Sequence, residues 1–529
     1  VARDIARVLG AKDKGESCLI GGGYAVTWAL GHLVTLKEPQ ELDERYTRWR
    51  AEDLPILPEK METKVIKKTK SQFLAVKKLM NDKETRDIIC ATDSGREGEL
   101  IFRYIYEQAG CKKPVRRLWI SSMTDEAIRA GFDSLRPSAD YDALYASARC
   151  RADADWLIGM NATRAYTIRY GVLLSIGRVQ TPTLSMIVKR RKEIDAFVPK
   201  LFYTVRADFG DYQGVYIDKK GERKFENEEA AQQIAQRVSG RSARVTQAAR
   251  EHKSVWPPLL YDLTTLQREA NSRFGFSAKT TLSIAQALYE KHKLLTYPRT
   301  DARALPEDYL PTVKEILSVV AQTSSLGKFA QKALKDNYVV FTKKIFNNAK
   351  ISDHFAIIPT GQEPKSVLSE VEQKIYDLVT KRFIAVFYPP AQFLNTTRTT
   401  VVEDYHFVSE GKVMQHPGWL EVYGRTSEDS GSELVPVAKG ETPLTVKSDA
   451  LGLATKPPAR YTEASLLSAM ENAGKTVEEA ELRDAMSEKG IGTPATRAAI
   501  IEGLIAQSYL IREGRELIPT AKASQLLTL

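Results

Sequence analysis

Cysteine is scarce in this chain: Cys18, Cys90, Cys111 and Cys150 lie far apart, with no Cys-x-x-Cys pair. That spacing suggests neither a zinc ribbon nor a disulfide framework, and it fits a reducing compartment. No apolar run approaches the length that spans a membrane, and no charged-then-apolar leader opens the sequence. A soluble intracellular protein, cytoplasmic if bacterial, is the expectation. Nucleotide-cradling loops are missing too. Gly21-Gly22-Gly23 and the stretch from Gly10 to Gly15 lack the following Gly-Lys-Ser/Thr, so ATP is not implied. No internal repeat is evident, and Thr426 to Ser432 is the one obvious flexible low-complexity loop.

What the chain does have is length and positive charge. At 529 residues and 59.2 kDa it exceeds what one core supports, and about three or four domains are expected. A net charge of +10 and a pI near 9.1 favour an anionic partner, with nucleic acid the leading candidate. The charge is concentrated: residues 146–200 carry ten Lys or Arg against four acids. Such a segment either tracks a phosphate backbone or is a solvated helix face; Lys189 to Lys192 alone fits the second description.

Texture divides the chain. Residues 1–145 alternate strand-like runs (Cys18 to Ile20, Asp87 to Ala91, Arg117 to Ile120) with helical stretches, the pattern of an α/β domain. Residues 146–200 read as helical and basic. From Leu201 to Val255 the alternation of Phe202-Tyr-Thr-Val-Arg-Ala-Asp-Phe predicts strands, and a similar texture returns at Ala391 to Val408 and Thr442 to Leu451. One β-rich domain built from separated pieces is expected, with residues 256–385 as a helical insertion. After Lys456-Pro457-Pro458, residues 461–529 read as helical.

Two stretches carry chemistry. Helical spacing from Thr280 to His292 is followed by Thr296-Tyr297-Pro298-Arg299-Thr300-Asp301, where Pro298 disfavours helix at Tyr297 and puts it on an extended turn. A tyrosine there is a candidate nucleophile, although a phenol with a pKa of about 10 needs help from a cation or a base. Arg299 is placed to give that help and to fork onto a phosphate. Taken alone, such a pattern is more often a buried tyrosine beside a surface arginine. The second stretch, Asp93-Ser94-Gly95-Arg96-Glu97-Gly98-Glu99, follows the apolar run Ile88-Ile89-Cys90 and precedes the expected helix Leu100 to Gln108. Acids at the carboxyl end of a strand lie where α/β sheets bind ligands. Asp93 and Glu97 suit a hard cation such as Mg²⁺, or simply cap the helix that follows.

These two stretches resemble motifs of a known family. Asp93-x-x-Arg96-Glu97-Gly98-Glu99, Ser175-Ile176-Gly177-Arg178-Val179-Gln180-Thr181-Pro182-Thr183, Thr296 to Asp301, Asp353-His354-Phe355-Ala356-Ile357-Ile358-Pro359-Thr360 and Gly490-Ile491-Gly492-Thr493-Pro494-Ala495-Thr496-Arg497 stand in the order found in type IA DNA topoisomerases. The resemblance covers essentially the whole chain. Gly31-His32-Leu33, Trp49, Asp155-Trp156 and Asn161-Ala-Thr-Arg164 make it similar to the bacterial topoisomerase III branch.

The resemblance implies a toroidal multidomain fold, mixed α/β plus α and β. Its parts would be a Toprim domain at 1–145 lacking its first strand, a helical DNA-binding domain at 146–200 plus 456–529, a β-rich arch at 201–255 plus 386–455, and a helical gate at 256–385. It implies strand cleavage through a 5′-phosphotyrosine on Tyr297, passage of another strand and religation, relaxing negative supercoils or decatenating DNA without ATP. Arg299 would contact the phosphate, and His354 would hydrogen-bond the phosphodiester or relay a proton. Asp93 and Glu97 would hold Mg²⁺, needed mainly for religation. Ser175, Ile176, Gly177, Arg178, Val179 and Gln180 with Arg164 would line a single-strand groove, joined by Arg96, Thr493, Thr496 and Arg497, and Trp49 would stack on a base or sit in a core. Single-stranded, negatively supercoiled or catenated DNA is the implied partner, with a RecQ-type helicase beside it in the bacterial nucleoid.

Two departures stand out. The family's acidic motif runs Asp-x-Asp-x-Glu, but its middle position here is Gly95, which is expected to weaken metal binding or shift work to water and Glu99. The family also opens with a strand ending Glu-Lys-Pro-Ser, whereas this sequence starts at Val1-Ala2-Arg3-Asp4, similar to the helix after that strand; a fragment trimmed at both ends is expected. Two other readings stay open on the sequence: a tyrosine recombinase-like strand transferase, which joins the 3′ end, and a catalytically impaired single-strand-binding remnant.

Overall fold

Strand pairing in the first 145 residues places the acidic loop. The computed structural model describes residues 1–120, 123–364, 366–424, 439–476 and 490–527; the loop expected at Thr426 to Ser432 lies outside the described residues. Helix α1 (Ala2–Val8) precedes an antiparallel meander of β1 (Asp13–Gly15), β2 (Cys18–Gly21) and β3 (Tyr24–Thr27). Strands β4 (Val34–Leu36) and β5 (Thr63–Val65) pair across the short helix α2 (Pro39–Leu42), and α3 (Lys70–Asn81) follows. Next, β6 (Ile88–Cys90) pairs in parallel with β7 (Val115–Arg117), a geometry that needs a crossover. That crossover is α4 (Arg96–Ala109). Its buried Gly98, Phe102, Ile105 and Ala109 recur at helical spacing and face Leu33, Phe73 and Val76, and Gly110 ends it at a φ of 67°. The loop 91–95 therefore emerges at the carboxyl end of β6.

The strand expected at Arg117 to Ile120 is displaced: β7 stops at Arg117. Beyond it, the Ile120 N–H donates to Ser94 Oγ (3.1 Å) and the Ile120 carbonyl accepts from the same hydroxyl (2.9 Å), so the acidic loop takes the place of a strand partner. The short β8 (Arg136–Pro137) adds antiparallel to β7 after α5 (Asp125–Asp133).

Two long helices follow, α6 (Asp142–Tyr170) and α7 (Gln180–Asp195). The β-rich part is a single antiparallel sheet of β9 (Leu201–Asp208), β10 (Gln213–Ile217), β11 (Arg244–Val255), β12 (Ala391–Val402), β13 (Tyr405–His416) and β14 (Lys447–Ala454), in the order β11-β12-β13-β10-β9-β14. It also carries a helix absent from the sequence expectation, α8 (Glu228–Val238). Asn227 caps it by accepting from Glu229 N–H, and Ala231, Ala235 and Val238 pack on Val205, Ala207 and Phe407.

Between β11 and β12 the chain forms α9 (Leu263–Phe274), α10 (Ala278–Glu290), α11 (Leu310–Thr323), α12 (Gly327–Lys335) and α13 (Glu370–Ala385). Both crossings between sheet and helices are Pro-Pro dipeptides, Pro257-Pro258 and Pro389-Pro390. Trp419, just before α14 (Leu420–Tyr423), clamps them: its indole N–H donates to the Val255 carbonyl (2.9 Å) and its backbone N–H to the Pro389 carbonyl (3.0 Å). Gly418 is needed beside it, because a β-carbon there would lie 2.5 Å from the carbonyl oxygens of Pro389 and Pro390.

The last segment is not wholly helical as expected. Helices α15 (Glu463–Glu471), α16 (Pro494–Ala506) and α17 (Ala521–Leu527) surround a hairpin of β15 (Leu510–Glu513) and β16 (Glu516–Pro519). Leu466, Met470, Ile501, Leu510 and Leu526 share one core with Leu174, Leu184 and Ile187.

Candidate active site and nucleic-acid interface

The tyrosine segment is laced to a second strand-like segment. Leaving α10, the chain turns at Lys293, whose φ is 60°. Leu295 then bridges Pro359, Thr296 N–H donates to the Ile358 carbonyl (3.0 Å), and Thr296 Oγ1 donates to the Ala356 carbonyl (3.0 Å). Thr300 Oγ1 donates to the His354 carbonyl (2.8 Å). This places the half-buried Tyr297 ring 4.2 Å from the His354 ring, with Tyr289 edge-on at 5.4 Å. Arg299 is exposed and donates to Gln286 Oε1 of α10 (3.0 Å). Burial and then the charge of Asp93 push the Tyr297 phenol above its ordinary pKa, while Arg299 pulls it down.

The facing half of the site is the loop after β6. His354 Nε2 stands 3.5 Å from Asp93 Oδ2, so the histidine joins the two halves. Burial raises the Asp93 carboxyl, but the hydrogen bond and charge of His354, with Arg117, outweigh it and the net shift is downward. Glu97 is lowered chiefly by its hydrogen bond to His32, at 2.6 Å. Both carboxylates are ionised at neutral pH.

The loop is shaped by a residue the sequence reading missed. Arg117, 1% exposed, donates through Nη1 to the carbonyls of Cys90 (3.0 Å), Thr92 (2.8 Å) and Leu118 (2.8 Å), and through Nη2 to that of Asp93 (2.6 Å). Its Nε donates to Glu99 Oε2 (3.1 Å). Glu99 is fully buried between Arg117 and Arg103, so it is not free to replace the missing middle acid, contrary to expectation. The one signal was the Arg116-Arg117 pair between Val115 and the apolar Leu118-Trp119-Ile120.

The groove residues divide. Trp49, 42% exposed, and Arg164 line a cavity of about 540 Å³ with Gly159, Met160, Thr163 and Ile176. The Arg164 guanidinium lies 5.0 Å from the Trp49 ring and donates to the Tyr46 carbonyl (2.9 Å), and burial lowers its pKa. Arg178 is exposed and pairs with Asp155 at 3.1 Å. Ser175 and Gln180 bond each other (2.7 Å) and Gln507, which ties the intervening loop, with Gly177 and the half-buried Val179, to the end of α16. Arg96 is exposed in the first turn of α4.

Three expected contacts are occupied by architecture. Thr493 and Thr496 form the capping box of α16. Arg497 is 2% exposed and donates to Thr264 Oγ1 (3.0 Å) and to the carbonyls of Ile491 and Gly492. Its guanidinium therefore holds α9 to the last segment, out of reach of a strand in solvent.

Comparison with known proteins decides the family. A family model described as DNA topoisomerase matches residues 139–529, and one described as Toprim domain matches 1–123. DNA topoisomerase 3 of Bacillus licheniformis is 46% identical across 100% of this chain and 74% of its own length; that of Bacillus subtilis is 45% identical with the same coverage. The chain belongs to the type IA DNA topoisomerase family. The solved structure of full-length topoisomerase I from Thermotoga maritima overlays this topoisomerase with a TM-score of 0.68 at 26% identity, covering 98% of this chain and 79% of that one.

Toprim domains typically bind divalent metal ions. In this topoisomerase Asp93 and Glu97 supply ionised oxygen donors that are 47% and 64% exposed. Among the described residues no group of three or more His, Cys, Asp or Glu side chains gathers to hold an ion. A donor set of two carboxylates fits Mg²⁺, which keeps several waters and shares its shell with substrate phosphates. Among the described residues no helix is long and apolar enough to cross a membrane, and all four cysteines are free.

Proposed function

We propose that Tyr297 is the nucleophile of this topoisomerase and that the site is split between the helical gate and the acidic loop. The observation that carries this reading is the convergence of Tyr297, His354 and Asp93, from two separate parts of the chain, at one interface. The Tyr297 oxygen attacks a backbone phosphorus: the Tyr O–P bond forms, the P–O3′ bond breaks, and the 3′ oxygen takes up a proton while the 5′ phosphate stays on the enzyme. One phosphodiester replaces another, so the bond energy is kept for religation and no nucleotide is consumed. Because the phenol is held protonated, it must lose its proton as DNA binds. Arg299 neutralises the phosphate, and His354, in contact with the ring, is placed to hydrogen-bond the phosphodiester or move the proton. Asp93 and Glu97 would hold Mg²⁺, which when bound supplies positive charge beside the scissile phosphate, chiefly for religation.

In this reading the domains are 1–145, 146–200 with 456–529, 201–255 with 386–455, and 256–385, closing a ring whose gate parts at Tyr297. The core shared by Leu184 and Ile501 supports the second of these. The Trp49 and Arg164 cavity takes a nucleobase by stacking, and Arg178 and Arg96 follow the backbone. The substrates are single-stranded, negatively supercoiled or catenated DNA in the bacterial nucleoid, with a RecQ-type helicase as partner.

An end-labelled single-stranded oligonucleotide trapped with denaturant tests this. A 3′ label is expected to travel with the protein and a 5′ label to be released, and Tyr297→Phe is expected to abolish the adduct. An adduct surviving in Tyr297→Phe, or one carrying the 5′ label, sinks the assignment.

A further inference from the structure

Gly95 is the N-cap residue of α4, and its backbone gives no reason for glycine: φ −162° and ψ 177° are extended values that any residue adopts. Space gives the reason. A β-carbon on residue 95 would lie 2.0 Å from Oδ1 and 2.4 Å from Cγ and Oδ2 of Asp353, a side chain that belongs to the helical gate. The room a side chain at 95 would need is thus filled by a carboxylate arriving from across the interface. It arrives over the start of a 14-residue helix that receives no side-chain cap from residue 95, where negative charge is stabilised. Asp353 is also fastened to the nucleophile's segment on both sides. Ser352 Oγ donates to Asp301 Oδ1 (2.7 Å), and the His354 carbonyl accepts from Thr300 Oγ1 (2.8 Å).

We propose that Asp353 is a positioning residue that seats the gate on the acidic loop. By filling the space over Gly95 it fixes the register of residues 352–354, and so sets His354 against Asp93 and against the Tyr297 ring. Residues 95 and 353 form a complementary pair: a side chain at 95 displaces the carboxylate and lifts the gate segment away from the loop.

A compensation experiment on the full chain tests this, and its activity readout rests on the reading of Tyr297 as nucleophile. Gly95→Ala is expected to slow adduct formation at saturating oligonucleotide by about tenfold or more, since small misplacements of reacting groups are costly. The oligonucleotide dissociation constant and the thermal midpoint should stay unchanged. Adding Asp353→Gly to Gly95→Ala removes the clash and is expected to return the rate to that of Asp353→Gly alone. Asp353→Gly alone is expected to be slow as well; a wild-type rate in Gly95→Ala or in Asp353→Gly, or a double variant slower than Asp353→Gly, overturns the proposal. Amide exchange across residues 352–357 does not depend on which residue attacks DNA. Faster exchange in Gly95→Ala is expected, and unchanged exchange overturns the proposal even if Tyr297 proves not to be the nucleophile.

Discussion

Arg117 and Glu99 show how buried side chains can shape the acidic loop. Removing the guanidinium takes a donor from four backbone carbonyls, of which those of Cys90 and Asp93 still accept from Leu118 and Gly95 N–H, and leaves Glu99 paired with Arg103. Arg117→Met is therefore expected to lower unfolding stability by about 3 kcal/mol or more, read from urea midpoints. Arg117→Lys should fare little better, because an ammonium cannot fork over several acceptors; a lysine variant of native stability would refute this account. At this scale Tyr297, Arg299, His354 and Asp93 were legible in the sequence as candidates, because each sits in a short motif whose neighbours are contiguous. Arg117 was not, since a buried arginine runs against its ordinary preference for solvent. Gly95 was legible only as a missing carboxylate. That an acid from position 353 fills its place depends on a contact between distant parts of the chain, which no local pattern encodes.

At the level of elements, the start of α13 bears on the Tyr297 segment. Ser369 and Glu372 form a capping box, and Glu372 Oε1 also lies 3.0 Å from His292 Nε2, at the exit of α10 and five residues before Tyr297. The Ser369 hydroxyl and N–H, with His292, hold the Glu372 carboxyl at a pKa of about 2 against burial. Since this is below the unfolded value of about 4.3, the stability Glu372 lends is complete above that pH and drains away as pH falls toward 2. Glu372→Gln is expected to cost about 1 kcal/mol at pH 7. Urea midpoints at pH 7 and pH 3 should show the gap to wild type narrowing in acid, and a gap that widens would reverse the sign argued here. Helix α8 was missed although Asn227, Glu228 and the spacing of Ala231, Ala235 and Val238 announce it, because strand alternation on either side dominated the segment. The β15–β16 hairpin was missed because its strands are only four residues long and lie among helices.

For the molecule as a whole, polar contacts join residues 256–385 to the last segment beside Ala278, which is buried in that segment's apolar core. Glu463, buried at the base of α15, accepts from the Ala278 N–H at the start of α10 (2.7 Å) and from Arg512 Nε (2.8 Å). Arg497 holds Thr264, and Arg303 approaches Glu471 at 3.8 Å. Polar groups regain water when such a face separates. Glu463→Ala leaves the Ala278 N–H and Arg512 without this acceptor, and amide exchange across 264–281 is expected to quicken about tenfold, the equivalent of roughly 1–2 kcal/mol. Native exchange there would place the latch elsewhere. The two-piece sheet was legible because one alternating texture recurs at 201, 391 and 442. Its strand order was not, since β11 meets β12 only after the whole gate has been threaded between them.

The paired prolines at 257–258 and 389–390, pinned by Trp419, have a mechanical consequence. Stiff chain at both crossings and a clamp across them leave no swivel where sheet meets gate. In the proposed cycle, a rotation that parts Tyr297 from Asp93 would carry sheet and helices together as a lever arm. The far end of that arm lies where Lys200 and Thr455 exchange backbone and hydroxyl hydrogen bonds.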